Sequence, residues 1–180
     1  MRMRTCAGAL RRCGTAFLLL PALALGAAQA PQQSAEVKET LALFISRDST
    51  LASALEQVPG YAVFPSVIKG GVGFGAARGS GQLIEGGKAV GTTTLTQVTV
   101  GFQLGGQVYS ELVIFENETT LQAFKKGNFE FAAQLSAVAA AEGASANAKF
   151  EHGVKVVTFA RGGLMYEASV GGQKFGFDPY

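Results

Sequence analysis

The segment Gly70–Gly81, GGVGFGAARGSG, holds six glycines in twelve residues and follows the apolar stretch Tyr61–Lys69, YAVFPSVIK. Three kinds of structure tolerate such a run: a phosphate-cradling loop, a flexible linker, or a strand with one bare face. The parity separates them. Gly71, Gly73, Gly75, Gly79 and Gly81 fall on odd positions, while Val72, Phe74, Ala76 and Arg78 fall on even ones. Successive side chains of a strand point to opposite faces, so this strand has one face almost without side chains. Glycine weakens a strand, and is kept where another backbone, a helix or a ligand comes close, or where the sheet bends sharply. The spacing therefore predicts a sharply coiled strand, with the preceding helices as the natural cover for its bare face.

The nucleotide alternatives fit poorly. Gly71-x-Gly73-x-x-Ala76 matches a loose dinucleotide fingerprint, but Arg78-Gly-Ser-Gly81 follows where a helix must begin. Around Gly87-Lys88, Gln82 stands where a phosphate loop needs its first glycine and Ala89 where it needs Ser or Thr.

Residues 1–30 carry a different signal. Arg2, Arg4, Arg11 and Arg12 precede the apolar run Phe17–Gly26, and Ala28-Gln-Ala30 has the small-x-small form of a cleavage site. The run is short of the roughly 20 residues a spanning helix requires. The expectation is a signal peptide over 1–30, cleaved near Ala30, with a periplasmic or secreted mature chain over 31–180; the Arg11-Arg12 pair leaves the twin-arginine route open. Without the four arginines, 11 Lys+Arg face 13 Asp+Glu, and the formal charge moves from +2 to −2. Nucleic acid is excluded as a partner on that balance, since such binding rests on a concentrated basic surface. Cys6 and Cys13, the two cysteines, leave with the same segment. The mature chain then has no disulfide, thiol nucleophile or thiolate metal site, and no cofactor is expected.

Helices open the mature part. Val37, Leu41, Phe44 and Ile45 recur at helical spacing behind Ser34, and Leu51, Leu55 and Val58 follow Asp48 up to Pro59-Gly60. From Tyr61 the period becomes 2, with Val98, Val100, Phe102 and Leu104 on one face of a half-buried strand and Gln97, Thr99 and Gln103 on the other. Glycine pairs at Gly86-Gly87, Gly105-Gly106, Gly162-Gly163 and Gly171-Gly172 predict tight hairpins. Asn117 caps one more helix, which Gly127 stops. Phe129–Ala141 reads as strand or Ala-rich helix, with Phe129 and Phe131 favouring strand at its start. The fold class is α+β: a mainly antiparallel, strongly curled, barrel-like glycine-rich sheet with an N-terminal helical hairpin and one further helix.

Chemistry-bearing residues are sparse. His152, the single histidine, stands in a loop-like stretch without a second imidazole, so no catalytic or metal role is assigned to it. The carboxylates are scattered. Lys69, Arg78 and Lys88 bracket the glycine strand and its hairpin, and form a site for phosphate or another anionic headgroup if they converge. Phe44 and Ile45 are candidates for dipping the first helix into a membrane interface.

Gly60–Gly71 (GYAVFPSVIKGG), Gly101–Gln107 (GFQLGGQ), Leu121–Gly127 (LQAFKKG), Gly163–Tyr166 (GLMY) and Gly171–Lys174 (GGQK) together resemble the SYLF domain family, over about Ala35 to Phe177. The resemblance implies a lipid-binding domain without catalysis, in a family whose eukaryotic members bind phosphoinositide membranes and, in some cases, actin. Lys69 falls within the matching motif; Arg78 and Lys88 are nearby basic candidates. The signal segment, the lack of a partner domain and the non-basic first helix depart from the eukaryotic pattern. An anionic lipid or membrane surface is thus the expected partner, with an envelope protein as the alternative, and actin is not expected.

Overall fold

The structure, a computed structural model, describes residues 32–127, 129–131, 137–139 and 149–180. The expected signal segment and both cysteines lie outside the described residues.

Two short helices open the described chain: α1 (Ala35–Arg47) and α2 (Thr50–Gln57). Ser34 caps α1 as its sequence position predicts, its hydroxyl accepting from the Val37 N–H. At α2 the cap comes from a residue earlier than its formal N-cap Ser49: the Asp48 carboxylate accepts from the Thr50 N–H at 3.1 Å. The third helix, α3 (Glu118–Lys125), starts at Asn117, whose side chain accepts from the Thr120 N–H, and stops at Gly127, with φ +76°.

Three very long strands dominate: β1 (Gly60–Glu85), β2 (Lys88–Phe115) and, after the short β3 (Phe129–Phe131) and β4 (Ala137–Ala139), β5 (Val154–Pro179). The order is β1-β2-β5-β3, with β4 also on β5; the β4–β5 pair is parallel and the others antiparallel. A straight strand of 26 residues would reach about 85 Å at 3.3 Å per residue, about twice the width of a domain this size. The ribbon must therefore double over.

The glycines show where. The carbonyl of Ile84 stands 2.9 Å from the place a Cβ on Gly60 would take, and the Val67 side chain 2.7 Å from that place on Gly79; on Gly81 a Cβ would strike the Val63 carbonyl. The two halves of β1 thus run back along each other in opposite directions, and the bare face is what lets them touch. The expected cover was the opening helices; the backbone that comes closest is β1's own first half. Between the halves lies the bend, where Gly70 and Gly71 oppose Gly106 and Gly105 across the ladder and the register shifts between Val72 and Phe74. At the other edge, β3 pairs with the second half of β5 and β4 with its first half.

Three expectations need correction. The sheet curls but is not a closed barrel, because among the described residues β1 is hydrogen-bonded in the ladder to β2 alone. Gly86-Gly87 makes the predicted hairpin, with φ +55° and +78°; the pairs at 105–106, 162–163 and 171–172 instead lie inside β2 and β5, around the bend, where missing side chains ease the coiling. The faces of β2 are also inverted: Gln97 and Thr99 are buried, whereas Val98, Val100 and Leu104 are 59, 49 and 59% exposed. The alternation was real, but this part of the curl has a polar interior.

Two cores hold the packed end of the ribbon, which we call the base. Inside the curl, Phe64, Phe115, Phe124 and Phe175 are fully buried with Leu83, Leu95 and Leu121. Phe124 of α3 is central, its ring centroid 4.7 Å from Phe115 and 5.4 Å from Phe175. On the opposite face, Val37 and Phe44 of α1 and Leu51 and Leu55 of α2 cover Tyr61, Val63, Ile84, Leu112, Ile114 and Val157.

Candidate functional site

From Ser66 to Ser80 the even residues of β1 point outward and odd Val67, Lys69, Gly75, Ala77 and Gly79 are buried. Arg78 is therefore on the outer surface, opposite Thr96 of β2, which in turn opposes Lys174 of β5. Both cations are exposed, and Lys174 is bonded at 2.8 Å to Glu130, itself on the surface. A groove of about 670 Å³ runs beside this row, with Pro65, Ile68 and Ala76 as apolar wall and Arg78, Thr96 and Glu36 of α1 as polar rim. Its two sides are the two halves of β1, so the doubling of the glycine strand builds it.

Within its two strands the charge of this surface is one-sided, the neighbouring acids Glu36 and Glu130 coming from α1 and β3. Between Ser66 and Ile84 on β1, and between Lys88 and Ser110 on β2, the sequence has no Asp or Glu. The same surface carries Ile68, Val72 and Phe74 with Val98, Val100 and Leu104, all exposed, and the register puts Val72 opposite Leu104 and Phe74 opposite Val100. It is a contiguous apolar patch with cations at its margin and no acid within its two strands.

Lys69 is elsewhere. It is 6% exposed and lies on the inner face, among buried Gln97, Thr99, Tyr109, Glu111 and Gln173. The Gln173 amide donates to the Glu111 carboxylate at 2.9 Å and the Tyr109 hydroxyl to Gln97 at 3.3 Å. Burial pushes the Glu111 carboxyl up to about 7, against the opposing pull of the Gln173 hydrogen bond and the Lys69 charge. Lys69 thus lies close enough to a buried acid to act on its charge, on the face opposite Arg78.

Lys88 is exposed at the Gly86-Gly87 hairpin, opposite Glu85. The three basic candidates consequently occupy three places: Arg78 on the outer surface, Lys69 inside the curl and Lys88 at the turn. Phe44 is fully buried and Ile45 half-buried against the same core, so α1 spends both on packing. His152 is exposed in a turn with φ +53°. Among the described residues no cluster of His, Cys, Asp and Glu is suited to a metal ion, and no helix is long and apolar enough to cross a membrane. Lys174, Glu111 and the apolar patch were missed from sequence; the acid-free span of β1 and β2 was the available signal for the patch.

Comparison with known proteins places this architecture. Residues 96–179 match the Ysc84 family, described as "Las17-binding protein actin regulator". Over that segment, just under half of the chain, the protein is similar to this family, the SYLF family. The matched segment runs from the middle of β2 to the end of β5; β1, with the Gly60–Gly71 motif and Arg78, lies outside it and pairs with it along the ladder. A similar relative is beta cell expansion factor A of Aeromonas veronii, 28% identical over 75 residues, which are 42% of this chain and 29% of that protein. The match thus spans less than a third of that relative's length. No solved structure matches.

Proposed function

We propose that the chain is an exported, non-catalytic module that binds anionic lipid at a membrane surface, an anionic phospholipid or phosphoinositide-like headgroup being the group recognised. The observation that carries this reading is the acid-free outer surface of β1 and β2, with Arg78 exposed on the rim of an apolar-walled groove. A guanidinium forms paired hydrogen bonds with phosphate oxygens, and the groove beside it suits the apolar part of the same molecule. The family supports a binding role over a catalytic one. Export belongs to the proposal and rests on the N-terminal segment alone.

A second reading, an envelope module that docks a protein, draws on the family description, which names a protein partner for its members. Vesicle flotation separates the two. The chain from residue 31 onward, which contains every described element, is expected to float with anionic vesicles, to stay behind with neutral ones, and to lose binding as salt screens exposed charge. Arg78→Glu is expected to cut binding severalfold and Lys88→Glu less. Flotation unchanged by salt and by Arg78→Glu, or none with any vesicle, would move the protein-docking reading to the front.

A further inference from the structure

Six of the seven exposed large apolar side chains among the described residues gather at the bend: Ile68, Val72, Phe74, Val98, Val100 and Leu104, with Val72 75% and Phe74 72% exposed. Scattered exposed apolar residues are ordinary, whereas a contiguous patch marks a surface that meets something. Here the cations say what. Arg78 lies four residues from Phe74 on the same outer face of β1, about 13 Å away at 3.3 Å per residue, and Lys174, paired with Glu130, shares its row. Apolar tip, cationic margin and acid-free strands complement an anionic bilayer, apolar below and negative at its surface.

The depth is limited by the ladder. Among the described residues β1 is an edge strand, and unpaired backbone groups do not enter hydrocarbon. The bend therefore suits shallow entry, of the order of 5–10 Å, rather than crossing. We propose that the bend of the ribbon is a bilayer-insertion element: Val72, Phe74, Val100 and Leu104 enter the boundary between headgroups and acyl chains, while Arg78 and Lys174 remain at headgroup level. This rests on the membrane-binding reading and adds a mode to it, penetration rather than surface attraction.

The chain has no tryptophan, so Phe74→Trp reports from the bend alone. On vesicles of equimolar phosphatidylcholine and phosphatidylglycerol, its emission is expected to shift to shorter wavelength. Lipids brominated near the headgroup end of the acyl chain are expected to quench it more than lipids brominated at the bilayer centre. Phe74→Asp is expected to weaken partitioning roughly ten- to hundredfold, the factor that burying one such side chain is worth, with its unfolding midpoint unchanged. Vesicle binding without shift or quenching would overturn insertion and leave surface binding standing; no binding to any vesicle would overturn both. Self-association in sedimentation without lipid, abolished by Phe74→Asp and accompanied by no quenching, would give the patch to a second copy and overturn the proposal.

Discussion

The base and the bend of the ribbon are made from the same three strands, yet they use their side chains in opposite ways. At the base, both faces of β1 and β2 are covered: Ala62 and Phe64 pack inside the curl, Tyr61 and Val63 under the helices. At the bend, the outer face is apolar and bare, while the inner face holds Lys69, Gln97 and Thr99. A chain gains stability by burying apolar groups and loses it by burying polar ones. The bend does the reverse on both faces, and departures of this kind concentrate where function rather than stability sets the residue.

The largest expected effect contrasts one phenylalanine from each region. Phe124→Ala empties the centre of the aromatic cluster and is expected to cost about 3–5 kcal/mol in denaturant unfolding. Phe74→Ala is expected to stay within about 0.5 kcal/mol, as an exposed position should. A comparable loss from both would mean that the bend is packed and would break the comparison.

A somewhat smaller effect comes from the polar interior. The Glu111 carboxyl is raised from the ordinary 4.5 to about 7, so the folded protein holds this proton more tightly than the unfolded chain does. Below about pH 4.5 both states are protonated and the contribution to stability is complete. As pH rises toward 7 and slightly beyond, the unfolded chain ionises first, and stability falls by on the order of 3 kcal/mol. Glu111→Gln is expected to flatten that slope in unfolding midpoints taken across this window. A slope that persists in the variant would assign the pH dependence to other groups.

How far the sequence discloses this arrangement depends on the physics behind each signal. Local chemistry was legible: Ser34 and Asn117 cap where their hydroxyl and amide predict, Gly127 stops α3, and Gly86-Gly87 turns the one tight hairpin joining β1 and β2. The parity of Gly71–Gly81 disclosed a coiled strand with a bare face. It did not disclose what would lie on that face, because contact between residues such as Gly81 and Val63 is set by how far the ribbon coils. For the same reason the side of β2 could not be assigned. An alternating pattern fixes two faces, and apolar-in is the ordinary choice, but Gln97 faces in and Val98 faces out. Lys69 and Arg78 were grouped by nearness in sequence; one odd and one even, they lie on opposite faces of the same strand.

The most direct measurement is backbone hydrogen exchange with and without anionic vesicles. The account predicts new protection confined to the bend, residues 70–76 and 98–106, while the base around residues 60–64 and 109–115 exchanges as slowly with lipid as without. Protection gained on α1 instead, or none at the bend while the protein is bound, would contradict it.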